Sequence, residues 1–294
     1  MLDNVQHLPS VQNIINTANK VLGFDVLEKC GVAARDLDNT IFAQPLMFVA
    51  GMVHSELMKQ KHPTIFTKVK AVAGFSLGEI TALCYAGAIS FGDALKLVNE
   101  RAKAMANCPG GAMCSVVGMS LLQVKSLCKT TGCTIANIIC NHQDEDLVKH
   151  NILVCAGEAH NIVSLVQAAE SSGGKAKRLR VSGAFHSAAM LPAQTHLNDV
   201  LKQIHISLPS DKLIYSNVTG RPYRSVREIR RNLSRHIVKP VLWHEIIHSL
   251  LKDECVTLFV ECGPQKVLSK TIEAHLKGLS DEENQCCTIL SSDS

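Results

Sequence analysis

Aromatic residues are scarce, 4% of the 294 residues with a single tryptophan. Platforms that stack single-stranded nucleic acid need more of them. The net charge of +4 is too mild for a basic nucleic-acid footprint, so nucleic acid is not an expected partner. Charged residues are also few, 19% against 46% hydrophobic, which leaves ample material for a core. No apolar run reaches the roughly 18 to 20 residues that a membrane span needs. The opening MLDNVQHLPSVQN has no basic stretch ahead of an apolar block and little Arg or Ser. It reads as neither a secretory signal nor a transit peptide. The twelve cysteines form no CxxC pair and stand singly except at Cys286-Cys287. A chain of this length needs no disulfide framework, so they read as reduced thiols in a cytosol-like or matrix-like compartment.

What is present alternates helices with short β-rich runs. That order predicts an α/β fold around a largely parallel sheet. Residues 40–60 have helical apolar spacing, 69–73 form a short apolar strand, and Ser90 with Asp93 opens a helix. After the breaker cluster Pro109-Gly110-Gly111 the order becomes β-α-β-β-α-β over 112–180, the ferredoxin-like pattern. The expectation is a discontinuous core, 1–111 with 181–294, carrying an inserted ferredoxin-like α+β subdomain at 112–180.

The segment AVAGFSLGEITAL contains Gly74-Phe75-Ser76-Leu77-Gly78, a G-x-S-x-G. A serine on a sharp strand-to-helix turn is lifted clear of the sheet, and close packing there tolerates only small flanking residues. The amide of the next residue, Leu77, then points at the oxyanion of a tetrahedral intermediate, beside a helix N-terminus that favours negative charge. The pentapeptide alone is common, but here an apolar strand precedes it and a helix follows. A nucleophilic serine needs a base. Of thirteen histidines, His186 is best placed, in Ser182-Gly183-Ala184-Phe185-His186, where a strand ends in small residues and a helix begins. A lone histidine there is more often structural; its pairing with a serine elbow makes it a candidate.

With GFSLGE and GAFH together, the chain resembles the malonyl-CoA:acyl carrier protein transacylases, particularly the animal mitochondrial members, in which Phe75 stands where the family usually has histidine. Further matching stretches are Ala43-Gln44-Pro45, the helix carrying Arg101, Ala136-Asn137, Ser216-Asn217-Val218, Pro240-Val241-Leu242-Trp243, and Glu261 with Gly263-Pro264. The resemblance implies an α/β-hydrolase-like core with the ferredoxin-like subdomain. It implies Ser76 as nucleophile, His186 as base and the His236 carbonyl orienting that base. Arg101 would hold the free malonyl carboxylate, with Gln44 and Asn137 as further substrate-binding residues. A planar guanidinium suits a carboxylate through two parallel bonds. The implied partners are malonyl-CoA and acyl carrier protein, in mitochondrial fatty acid synthesis, with no cofactor, no metal and a monomeric chain.

The family also opens with a strand and a G-Q-G-S-Q loop that supplies a second oxyanion donor. No G-Q-G-S-Q occurs in this sequence, so the expectation is a shortened core lacking its first strand, and weak activity is an alternative. A rival motif lies at His244-Glu245-Ile246-Ile247-His248, an H-E-x-x-H. Two histidines at i and i+4 share a helix face, and the glutamate between them could activate a zinc-bound water. Position 251 is Leu, so the longer metzincin pattern fails, and a zinc hydrolase stands as the second alternative. Basic residues cluster at Lys175, Lys177, Arg178 and Arg180, and at Arg221, Arg224, Arg227, Arg230, Arg231 and Arg235. Such runs are usually solvated faces, but near a cleft they would steer anionic partners.

Overall fold

The computed structural model describes residues 8–32, 39–278 and 287–292. The chain starts with helices α1 (Pro9–Leu22), α2 (Val26–Val32), α3 (Thr40–Lys61) and α4 (Pro63–Phe66). Pro9 opens α1 where its missing N–H costs nothing, and Gly23 closes it in the left-handed region. Strand β1 (Ala71–Val72) leads into α5 (Gly78–Tyr85) and α6 (Phe91–Ala106). The Ser90 side chain caps α6 by accepting from the Asp93 N–H, a cap worth about 1 kcal/mol.

Residues 112–178 hold β2 (Ala112–Val117), α7 (Leu121–Thr131), β3 (Thr134–Cys140), β4 (Ile152–Gly157), α8 (Ala159–Ser171) and β5 (Lys175–Arg178). The strands lie in the order β5-β2-β4-β3, every neighbour antiparallel. Helices α7 and α8 seal one face through Val124, Cys128, Ile162 and Leu165. The edge strand β5 exposes Lys175, Lys177 and Arg178, charges that discourage further strand pairing. The chain enters this unit and leaves it side by side, bridged at Gly110 and Gly183. A Cβ on Gly111 would lie 2.7 Å from the Ala184 Cβ, so that close approach requires glycine.

The remainder comprises α9 (Leu191–Gln203), β6 (Leu213–Ile214), α10 (Val226–His236), β7 (Val241–Leu242), α11 (Trp243–Lys252), β8 (Leu258–Glu261), α12 (Val267–Leu276) and β9 (Thr288–Ser291). Helices α1, α3, α5, α6, α9 and α10 share one apolar core, with Leu46, Phe48, Leu83, Leu95 and Leu197 buried. A second core gathers Tyr215, Trp243, Ile246 and Ile272.

Among the described residues every ladder with a strand outside 112–178 is parallel, and the ladders within 112–178 are antiparallel. Parallel pairing is confined to β1 with β6, β8 with β9 and β3 with β7, while the largest sheet is otherwise antiparallel. The parallel ladders are short, two residue pairs for β1 with β6 and for β3 with β7 and four for β8 with β9. By length and composition alone, α3 is also apolar enough to cross a membrane. Its mixed apolar pattern reflects burial on several sides, with Leu46, Phe48, Val49, Ala50 and Val53 all fully buried.

Candidate active site

The strand-to-helix turn between β1 and α5 carries Ser76 at φ 50°. An L-residue is strained there, and two fastenings hold it. Asn217, on the loop after β6, accepts from the Ser76 N–H at 2.7 Å and donates to the Gly74 carbonyl at 2.8 Å. The Asn217 N–H donates in turn to the Glu79 carboxylate at 3.1 Å. Glu79 is fully buried and also accepts from the Tyr223 hydroxyl. Burial pushes its carboxyl up to about 7 against the pull of Tyr223, Asn217 and Arg101. A Cβ on Gly74 would fall 1.9 Å from the Gly78 carbonyl oxygen, whereas a Cβ on Gly78 meets nothing within 4 Å. Only the first glycine of the pentapeptide is therefore a steric requirement, which corrects the expectation for the second.

His186 projects from the loop before α9, also at positive φ, 59°. Its Nε2 is 2.8 Å from Ser76 Oγ and its Nδ1 is 2.9 Å from the His236 carbonyl oxygen. A carbonyl can only accept, so Nδ1 carries the proton and Nε2 is left to accept from the serine. Burial, reinforced by the Arg101 charge, depresses the His186 pKa to about 4. The imidazole is neutral at physiological pH, as a general base must be.

Arg101, one face of α6, completes the group. It is 3% exposed. Its Nη2 donates to Ser76 Oγ at 3.2 Å and its Nη1 donates to the Gln44 side-chain oxygen. Gln44 is held on α3 by donating to Thr40 Oγ1 at 2.7 Å. Arg101 Nε has no hydrogen-bond partner, and burial lowers the guanidinium pKa to about 10 despite the Glu79 charge. A buried cation without a hydrogen-bonded carboxylate beside a serine hydroxyl is an anion site.

The sequence profile of the acyl transferase domain matches residues 9–292. The chain belongs to the acyl transferase family. This acyltransferase is 35% identical over 283 residues to the mitochondrial malonyl-CoA-acyl carrier protein transacylase of Mus musculus, covering 91% of this chain and 73% of that protein. It is 30% identical to the malonyl CoA-acyl carrier protein transacylase of Haemophilus influenzae, covering 95% and 89%. Among solved structures, the acyl-carrier-protein S-malonyltransferase of Burkholderia pseudomallei superposes with a TM-score of 0.86 at 27% identity, covering 99% of this chain and 91% of that one. A malonyl-transacylase in complex with a type II polyketide acyl-carrier protein gives 0.84 at 26%, covering 99% and 90%.

Of the residues expected from sequence, Ser76, His186, Arg101, Gln44 and the His236 carbonyl come together in this acyltransferase. Asn137 does not join them. It is buried in β3, in register with Val154 and Val241, and shares no hydrogen bond with the group among the described residues. Sequence reasoning missed Asn217 and Glu79 as supports of the elbow. Both lay in quoted stretches, but nothing local to them signals a bond across 141 residues to the Ser76 amide. The H-E-x-x-H does not form the zincin arrangement. Glu245 is exposed, and His244 turns toward Cys140 and His275 on other elements.

Proposed function

We propose that this acyltransferase moves a malonyl group from malonyl-CoA to the phosphopantetheine thiol of an acyl carrier protein by way of malonyl-Ser76. The observation that carries the reading is the buried Arg101 guanidinium beside the Ser76–His186 pair, with its Nε unpartnered. Such a cation fits an acyl group ending in a carboxylate and has no use for a plain acetyl group.

Ser76 Oγ attacks the thioester carbonyl while its proton passes to His186 Nε2. The imidazolium is held in register by its Nδ1–H bond to the His236 carbonyl. The Leu77 amide, at the head of α5, faces the developing oxyanion. Collapse expels the coenzyme A thiolate, which takes the proton from His186. The carrier thiol then gives its proton to His186 and attacks the ester carbonyl, and Ser76 recovers the proton as it leaves. The relatives' names and the carrier-protein complex of the superposed transacylase support malonyl-CoA and carrier protein as the two partners. The animal relatives are mitochondrial by name, which supports the same compartment for this protein. The strand order β5-β2-β4-β3 supports reading residues 112–180 as a ferredoxin-like subdomain set into an α/β-hydrolase-like core.

The test is incubation with labelled malonyl-CoA followed by peptide mapping. The label is expected on the peptide containing Ser76 and lost in Ser76→Ala. Label persisting in folded Ser76→Ala protein refutes the assignment.

A further inference from the structure

Around His244, the residue after Trp243, four histidine rings converge. The His244 and His275 centroids are 4.6 Å apart, with His142 and His248 each 6.1–6.4 Å from both of them. Cys140, the last residue of β3, joins them. One donor atom each from Cys140, His244 and His275 lies within 4.8 Å of the others. We propose that Cys140, His244 and His275 bind a zinc-class divalent ion that fastens α11 and α12 to the end of the five-stranded sheet.

Nothing in the acyl-transfer chemistry uses these residues, and they come from three different elements. Thiolate and imidazole are the ligand types of a borderline-soft ion with tetrahedral preference. Bonds of about 2.0–2.3 Å set ligand atoms roughly 3.5 Å apart, so the group needs to close by about 1 Å. His142 Nε2 lies 3.1 Å from both the Cys140 sulfur and the Ala274 carbonyl oxygen. His248 is exposed.

The second observation is an unsatisfied atom. His275 is 4% exposed, yet its Nδ1 has no hydrogen-bond partner, a costly arrangement for a buried imidazole. Asn141 Oδ1 is likewise buried and unpartnered. In the present arrangement His244 Nδ1 accepts from the Asn141 N–H at 3.2 Å. If His244 ligates through Nε2, its Nδ1 becomes a donor and needs an acceptor, and Asn141 Oδ1 belongs to the residue already facing it. Ligating histidines regularly hold such an outer partner. The Cys140 thiol would lose one proton to solvent as the metal–sulfur bond forms.

The test strips the purified chain with chelator and titrates it with Zn²⁺ alone and, separately, Co²⁺ alone, followed by gel filtration and metal analysis. One ion retained per chain is expected. The Co²⁺ form should show a thiolate-to-cobalt charge-transfer band in the near ultraviolet and the intense visible bands of a four-coordinate site. Cys140→Ser should remove the charge-transfer band. His244→Gln should weaken zinc binding by more than the roughly 10- to 100-fold that loss of an outer-shell partner costs. No retained ion, or Co²⁺ bound to the unmodified chain without a thiolate band, overturns the proposal whether or not the variants fold. Undiminished zinc affinity in folded His244→Gln overturns it as well.

Discussion

Ser76 and His186 are both L-residues held at positive φ, and their two loops meet so that a serine oxygen and an imidazole nitrogen lie 2.8 Å apart. The strain is offset locally by Asn217 on one side and the His236 carbonyl on the other. Arg101 has two effects at this scale. As an anion site it should select the acyl group. Arg101→Ala should therefore reduce malonyl transfer by roughly 10- to 150-fold, the worth of a lost charge-assisted bond of about 1.5 to 3 kcal/mol. Acetyl transfer should change far less, and equal losses in kcal/mol from the two kcat/KM values would show a purely structural arginine. As a nearby cation it also helps burial hold the His186 pKa at about 4. The base is active when deprotonated, so acylation should be flat at neutral pH and fall only as pH drops toward about 4. Removing the positive charge favours the imidazolium and raises that pKa. The acid limb of acetyl-group transfer, measured with Arg101→Gln, should move upward; a limb that stays in place would show that the arginine charge does not reach His186.

At the scale of the element, the strand–turn–helix of β1 and α5 makes an asymmetric prediction about its two glycines. Gly74→Ala drives a methyl into the Gly78 carbonyl at 1.9 Å, so the turn must open and carry Ser76 away from His186. Folded protein, if obtained, should lose acylation, because catalytic atoms displaced by about 1 Å can cost on the order of 10²-fold. Gly78→Ala points into open space and adds a helix-favouring residue at the start of α5. Its stability and acylation rate should be close to those of the parent, as thermal melts and labelling kinetics can show. A large loss at Gly78 would mean that the neighbourhood of the elbow closes when substrate is bound. The second H-E-x-x-H histidine, His248, lies on the exposed side of α11, which is why a helix-face motif did not translate into a two-histidine site.

Across the whole molecule, the basic residues after Asn217 divide by what they touch. Arg230 donates to the Leu201 and Ile204 carbonyls at the end of α9, and Arg221 pairs with Asp253. Those two are fixed structurally. Arg224, just ahead of α10, and Arg227, Arg231 and Arg235 along it stay exposed, Arg231 lying 3.9 Å from Glu228; the last residue of this helix supplies the carbonyl behind His186. An anionic carrier approaching the site would pass this face. Reversing charge at Arg227 and Arg231 should slow transfer to acyl carrier protein and flatten its salt dependence, while self-acylation by malonyl-CoA changes less. Stopped-flow transfer rates at several ionic strengths measure this, and an unchanged salt slope would move the docking face elsewhere.

The sequence by itself determined the pieces whose signals are local. The apolar strand, the glycine that lets the turn close, the Ser90 cap and the β-α-β-β-α-β order are all written in neighbouring residues. The proposed nucleophile, base and carboxylate-binding arginine were singled out because their flanking stretches resemble a family, not because their spacing requires them to meet. Tertiary structure decided what depends on contacts between distant segments. Asn217 fastening the Ser76 turn, Glu79 buried beneath it, the pairing of β7 with β3 and the meeting of Cys140, His244 and His275 have no sequence period. A hydrogen bond or a ligand set formed across more than a hundred residues is fixed by how the elements pack, and packing is a property of the folded chain as a whole.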